Sequence, residues 1–417
     1  MFQKCVNFNY FSARFASRLE VLLIGLVMFT LPIFEAPKNI FTILLILVWI
    51  LISLSKKSLG VSTRFDLPLF GLTLVLWLGP PFSTYGYSVV SEYAAARWSL
   101  LALFVLLVGR LNYTREHLYF IWFMLLLGGV VAVCESFWIW SINNREYPEL
   151  RSVGHTNHSA MYILVILAAG ISATLTSKRM LVLLGALSVS VSLLYLPASR
   201  SIVSTGTAFV VISVAMLYFC REQIGVKWIS LGGVILAAGI SLTFLLPFGH
   251  EFWDEIIRRF SGEDIFSGRD RILNAALAVW RQNPIFGTGW FSFGPVTSEE
   301  SIRLVLQRAD IQYDASTFIH TSHGHNLWTT ILVERGLMGL ILITVILFMY
   351  IKFYFYNSFM NTELGSFDRI VSLAALLVAV GFAVGGLGNT TMMNEHGHAG
   401  MAFIAMTYGY LRGRAYL

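Results

Sequence analysis

Apolar runs of about 17–25 residues recur along the chain, each closed by a charged or turn-forming cluster, and this is the length a helix needs to cross a bilayer. Twelve spans are predicted, at roughly 19–35, 39–55, 66–82, 94–110, 117–140, 158–176, 180–197, 202–220, 228–247, 336–354, 369–387 and 397–411. Only one connection is long, running from Phe248 to Arg335, and loops of that size are usually functional. The expected organisation is therefore transmembrane helices 1–9 in residues 1–247, one large loop in 248–335, and helices 10–12 in 336–417.

The loop pattern changes from apolar runs to short amphipathic stretches. His250 to Phe260 places Phe252, Trp253, Ile256, Ile257 and Phe260 on one side, which suits a helix lying on the membrane surface. Ser267 followed three residues later by Asp270 reads as a capping box opening a second helix, which ends before Pro284 and the Gly287-Thr288-Gly289 turn. Ser298 to Gln307 has a helical pattern, and His325 to Arg335 reads as a short interfacial helix leading into the tenth span.

Composition agrees with a membrane protein and excludes a soluble enzyme. The 417 residues are 56% hydrophobic and 12% charged, with a mean hydropathy of +0.70; ordinary soluble domains carry about twice that charge. The net charge of +6 is not a nucleic-acid footprint. With the N-terminus inside, Lys4, Arg14, Arg18, Lys56, Lys57, Arg64, Arg110, Arg115, Lys178 and Arg179 fall on the cytoplasmic side, as do Arg221, Lys227, Lys352, Arg369, Arg412 and Arg414. Lys38, Arg97, Arg145, Arg151 and Arg200 are left on the short outward connections. That is the positive-inside pattern, with both termini cytoplasmic. No cleavable leader is evident, and Cys5, Cys134 and Cys220 form no disulfide or metal framework.

Candidate chemistry gathers outside. Apart from Lys38, the basic residues placed there are arginines, whose planar fork suits phosphate. Eight of the nine histidines, all but His117, fall on the same side. Arg200 ends the seventh span, where a snorkelling role competes with anion binding. Arg269 opens the loop helix above Leu273, Ala276 and Trp280. It either answers Glu263 or Asp264, or it joins the helix N-terminus in holding an anion. Arg271 is its near neighbour. His325 sits just before an apolar helix, as an interfacial histidine or as a proton acceptor working near neutral pH. His155-x-x-His158 and His320-x-x-His323-x-His325 have spacings that zinc uses, but without the acidic or cysteine partners of a familiar motif, so no metal is expected. Arg97 and Glu135 are predicted to form a structural pair.

These residues resemble a known family. His325-Asn326, Leu327 to Arg335 and Gly336-Leu337-Met338-Gly339 resemble the His-Asn…Gly-x-x-Gly signature of O-antigen ligases, and Arg269-Asp270-Arg271-Ile272-Leu273 resembles their Arg-x-x-x-Leu motif. Asn283-Pro284 through Gly289, Val153 to His158 and Ser199-Arg200-Ser201 are similar to the wider ligase and polymerase superfamily. Leu31-Pro32 through Lys38-Asn39-Ile40 is similar to the ligase branch.

The resemblance implies an all-α membrane fold of the GT-C kind in the bacterial inner membrane, with the active site facing the periplasm. It implies a cofactor-free, metal-independent glycosyltransferase. Such an enzyme moves O-antigen polysaccharide from undecaprenyl pyrophosphate to lipid A–core, within the bilayer and with no nucleic-acid partner. Arg200 and Arg269 match the arginines that engage the pyrophosphate, and His325 matches the essential histidine. His323, two residues earlier, is a second candidate for the acting base, with Asn326, Arg271, His155 and Asn157 as further site residues. Superfamily motifs leave an O-antigen polymerase or a protein O-oligosaccharyltransferase open. A lipid-linked sugar transporter would need ionisable residues deep in several spans and broken helices at the midplane, and these are nearly absent.

Overall fold

A computed structural model describes residues 11–86, 92–143, 145–222, 253–254, 256–258, 261, 268–392 and 394–414. The described elements are helices throughout: α1 Phe11–Thr30, α2 Glu35–Lys56, α3 Asp66–Phe82, α4 Glu92–Arg110, α5 Arg115–Asn143, α6 Thr156–Ala173, α7 Arg179–Ala198 and α8 Ile202–Arg221. There follow α9 Arg269–Gln282, α10 Phe293–Val296, α11 Glu299–Arg308, α12 Leu327–Phe355 continued by a π-turn at Tyr356–Met360, α13 Ser366–Gly385 and α14 Asn394–Arg412.

Eleven of the twelve predicted spans coincide with a helix, while the ninth, at 228–247, lies outside the described residues. Among the described residues seven helices are long and apolar enough to cross a membrane (α2, α5, α6, α7, α8, α12 and α13), and α3 is a shorter apolar helix. The chain is an all-helical, multi-pass membrane protein. Helix α14 is less apolar because its first turns carry Asn394, Glu395, His396 and His398, and it buries Glu395 and His396.

Helix α6 is the hub of the bundle. From Ser159 to Ala173 all its residues are buried, and it packs on α5, α7, α8, α13 and α14. Helix α2 is the opposite case, presenting Ile40, Ile43, Leu47, Leu51 and Leu54 outward, as a lipid-facing helix does. At one end of the bundle lie basic anchors. Arg110 pairs with Asp66 at 2.6 Å, Arg369 with Glu222 at 2.7 Å, and Arg412 donates to the Val61 carbonyl at 2.9 Å.

The other end holds a buried polar network. The Lys38 ammonium, on α2, donates to Glu35 at 2.5 Å, to Ser152 at 2.9 Å and to Glu395 on α14. Arg97 lies 3.8 Å from the same Glu395 carboxylate, while Glu135 pairs with Arg151 at 3.3 Å. The predicted Arg97–Glu135 pair is therefore not formed. Both side chains find nearer partners at the mouth of the bundle.

The loop helices are fastened to this end by a backbone clasp. Helix α12 is interrupted at Gly336, whose φ of 60° and ψ of −163° are non-helical, so it is a short helix, Leu327 to Arg335, followed by a long span. The break frees backbone groups that must find partners. The Pro284–Gly289 turn supplies them. Thr288 and Gly289 N–H donate to the Val333 and Glu334 carbonyls at 2.9 and 2.8 Å, while Leu337 and Met338 N–H donate to Pro284 and Ile285 at 2.8 and 3.1 Å. A Cβ on Gly287 would lie 2.4 Å from Arg335 N, and one on Gly336 would lie 2.3 Å from Ile285 O. Only glycine allows two backbones to close in this way. On the far side, Asn283 accepts from Thr84 N–H at 2.8 Å, tying the turn to the end of α3.

Candidate active site

Helix α9 starts at Gly268, which has a φ of 69° and no side-chain cap. Ser267, expected as the cap, lies outside the described residues, as do His250, Phe252, Phe260, Glu263 and Asp264. On the buried side of α9, Ile272, Ala276 and Val279 pack with Phe293, Val296 and Val333, and Ala275 and Ala278 pack with Ile302, Val305 and Leu306 of α11. Leu273 is exposed rather than buried, so the apolar face is rotated from the one expected beneath Arg269. Arg269 itself is half-buried, and Arg271 folds back beside Gly268.

His325 precedes α12 in a left-handed conformation, φ 46°, which costs an L-residue about 1–3 kcal/mol and persists only where its surroundings enforce it. Asn326 supplies that enforcement. Its Oδ1 caps α12 by accepting from Thr329 N–H at 3.0 Å, and its Nδ2 donates to the Leu387 carbonyl at 2.7 Å. The Leu327 N–H donates to Gly386 at 2.8 Å. The geometry thus makes Asn326 the residue that pins His325 to the turn between α13 and α14.

Around His325 the structure assembles a cluster of imidazoles from three segments. The His325 and His323 ring centres are 4.1 Å apart; His323 is 6.3 Å from His155 and 5.8 Å from His158, and His158 is 5.5 Å from His396. The cluster does not converge as a metal cage. Among the described residues no three His, Cys, Asp or Glu side chains are set to hold an ion. Burial, the adjacent His323 and the Arg269 charge, with His155 contributing, push the His325 pKa down to about 4, so its ring is neutral near pH 7 with a lone pair available. Burial and His155 also lower His323, whose Nδ1 is 2.9 Å from Ser322 Oγ.

Asn157 connects this cluster to the α7–α8 turn. Its N–H donates to His155 Nδ1 at 3.2 Å, and its Oδ1 accepts from Ser201 Oγ at 3.0 Å. Beside Ser201, Arg200 occupies a left-handed turn, φ 50°, with its guanidinium carbon 5.1 Å from the Tyr147 ring centre. The structure therefore joins His155, Asn157, His323, His325 and Asn326 directly, with the Arg269 charge reaching His325 and Arg200 next in chain to a linked serine.

Three placements are not evident from the sequence, which marks His158 only for its spacing to His155 and its motif. His158 and His396 extend the cluster inward, and His158 Nε2 and His396 Nδ1 are buried without a hydrogen-bond partner among the described residues. Asn394 holds the other His158 nitrogen at 3.2 Å. The third is Arg335, which is 0% exposed, has no hydrogen-bond partner on any of its three nitrogens among the described residues, and lies 4.2 and 4.3 Å from the Trp98 and Trp290 ring centres. Withdrawing such a charge from water costs several kcal/mol. Two desolvated cation–π contacts return about 2 kcal/mol or more each. The only sequence signal was a Glu334-Arg335 pair interrupting an otherwise apolar helix.

A family model described as O-Antigen ligase matches residues 162–344. No curated protein matches the chain. The matched segment contains Arg200, Arg269, His323, His325 and both glycines of the clasp. Over this segment, which is less than half of its length, the chain is similar to the O-antigen ligase family.

Proposed function

We propose that the chain is the ligase that moves O-antigen polysaccharide en bloc from undecaprenyl pyrophosphate to lipid A–core. The active site faces the periplasm of the bacterial inner membrane, on a fold of the GT-C kind. The observation that carries this reading is the placing of a neutral His325 beside the Arg269 charge, inside the segment that matches the family.

The chemistry follows from that pairing. The acceptor hydroxyl gives its proton to a neutral His325 nitrogen as its oxygen attacks the anomeric carbon. The bond from that carbon to the pyrophosphate oxygen breaks, and the lipid pyrophosphate leaves with the electron pair. Arg200 and Arg269 take up the charge gained by the leaving group, as preorganised cations do at other developing anions. One in-line displacement inverts the anomeric carbon. His323 shares a 4.1 Å ring contact with His325 and acts on the reaction through it. Donor and acceptor are both lipids, so they enter sideways from the bilayer, which agrees with a site at the end of the bundle rather than at its centre.

Purified protein supplied with undecaprenyl-pyrophosphate glycan tests this directly. Transfer to lipid A–core supports the ligase. Transfer to a second lipid-linked glycan, or to a peptide hydroxyl, assigns the polymerase or protein-transferase reaction instead.

A further inference from the structure

A cavity of about 210 Å³ opens beside the histidine cluster, outside the residues assigned to the pyrophosphate. Trp98 and Trp290 line it, with Phe291, Arg97, Asn394 and His323 among the other walls. It is smaller than the pockets that take drug-sized ligands. Its composition is mixed in a particular way: broad aromatic surfaces on one part, hydrogen-bonding side chains on another.

The aromatic part is held in place from behind. The Trp98 and Trp290 ring centres are 5.1 Å apart, and the buried Arg335 guanidinium contacts both. Arg335 has no hydrogen bond among the described residues to hold it elsewhere. It follows Glu334, whose carboxylate faces the N–H groups of Phe291 and Phe293. The cation and the carboxylate therefore fix the Trp290–Phe293 loop from the short helix that begins next to Asn326. In the cavity wall Phe291 adopts a φ of 58°, and the residue is 60% exposed. A strained backbone that presents a large apolar ring to an open space marks a built surface.

We propose that this cavity is a subsite for one pyranose ring of the acceptor. Such a ring has an apolar C–H face that stacks on indole or phenyl surfaces, and an equatorial rim of hydroxyls that suits Arg97, Asn394 and Ser322. The size admits a single ring. The position selects the acceptor: His323 lines the cavity, and its ring is 4.1 Å from that of His325, the base that must meet the acceptor hydroxyl. The arginines on the donor side, Arg200 and Arg269, do not line it. This assignment rests on the ligase reading above, but its binding half is testable separately.

The test uses full-length protein in detergent micelles and two variants, Phe291→Ala, at an exposed position, and Trp98→Phe, which keeps a ring over Arg335. In the transfer assay each raises KM for lipid A–core about five- to tenfold, as the loss of an aromatic stacking contact does, and leaves KM for the lipid-linked donor unchanged; the melting temperature holds in Phe291→Ala and falls in Trp98→Phe, whose buried indole faces Arg335. An unchanged acceptor KM, or a rise confined to the donor, overturns the assignment. Separately, saturation-transfer NMR with delipidated core oligosaccharide shows signal on ring protons of one sugar in the wild type, lost in Phe291→Ala, and none with sorbitol, which has no ring. That arm reads binding without turnover, so wild-type protein that binds the oligosaccharide but transfers nothing to lipid A–core refutes the ligase reading and leaves the subsite standing. Equal signal from sorbitol, or none from the oligosaccharide, refutes the subsite.

Discussion

The clasp at Gly287 and Gly336 and the histidine cluster at His325 belong to the same stretch of chain, yet they are built on opposite terms. In the clasp, a break in α12 frees backbone groups and four hydrogen bonds of 2.8–3.1 Å satisfy them. In the cluster, His325 sits at a positive φ, and His158 and His396 keep buried nitrogens without partners among the described residues. The first region uses up its polar groups on itself. The second leaves them available. Ten residues separate Gly336 from His325, so the satisfied region can hold the strained one in place, as rigid support does for functional sites elsewhere.

That contrast is most severely tested by breaking the clasp. Gly336→Ala puts a Cβ 2.3 Å from Ile285 O and forces an L-residue into a glycine conformation. The expected cost is about 2–5 kcal/mol, with a lower melting temperature in detergent and loss of transfer together. A variant with normal melting and normal turnover would show that the clasp supports nothing.

Arg269→Lys keeps the charge but loses the fork, and transfer should fall about 10²- to 10³-fold with unchanged melting. Wild-type turnover would reduce Arg269 to a point charge.

The pH profile comes next. His325 is lowered to about 4 in the free protein, so kcat/KM for the first substrate to bind should hold through neutral pH and fall only as pH drops through about 4, where the ring gains a proton and can no longer accept one. Bound pyrophosphate would offset the Arg269 charge that helps lower this pKa, so the acidic limb of kcat should lie at higher pH than that of kcat/KM. A limb that is absent, or ordered the other way, removes His325 as the base. The smallest effect is none at all: chelator should leave the rate unchanged, and a loss restored by one added divalent ion would assign the leaving-group charge to a metal.

Much of the frame was legible because span length is fixed by bilayer thickness and apolar runs announce it. Eleven helices lie where those runs are. Short motifs marked His325, Asn326, Arg200 and Arg269 because each follows a turn or opens a helix. Other features were hidden for a physical reason, since they depend on contacts distant in sequence. The Lys38–Glu395 bridge joins α2 to α14. His396 meets His158 across the bundle, and Arg335 finds Trp98 on another helix. The expected Arg97–Glu135 pair failed for the same reason, because Glu395 and Arg151 lie closer in space. The rotated apolar face of α9 reflects packing on Phe293 and Val333, which periodicity within one helix does not encode.

In the proposed mechanism His325, rather than the tilted imidazole of His323 with its ring centre 4.1 Å away, takes the acceptor proton. The most direct measurement is single-turnover transfer from undecaprenyl-pyrophosphate glycan to lipid A–core by His325→Ala and His323→Ala, each matched to the wild type in melting temperature. The account predicts a loss of about 10²- to 10⁴-fold for His325→Ala, the size of a general-base contribution, and a much smaller loss for His323→Ala. The reverse order, or near-wild-type transfer by His325→Ala, would contradict it.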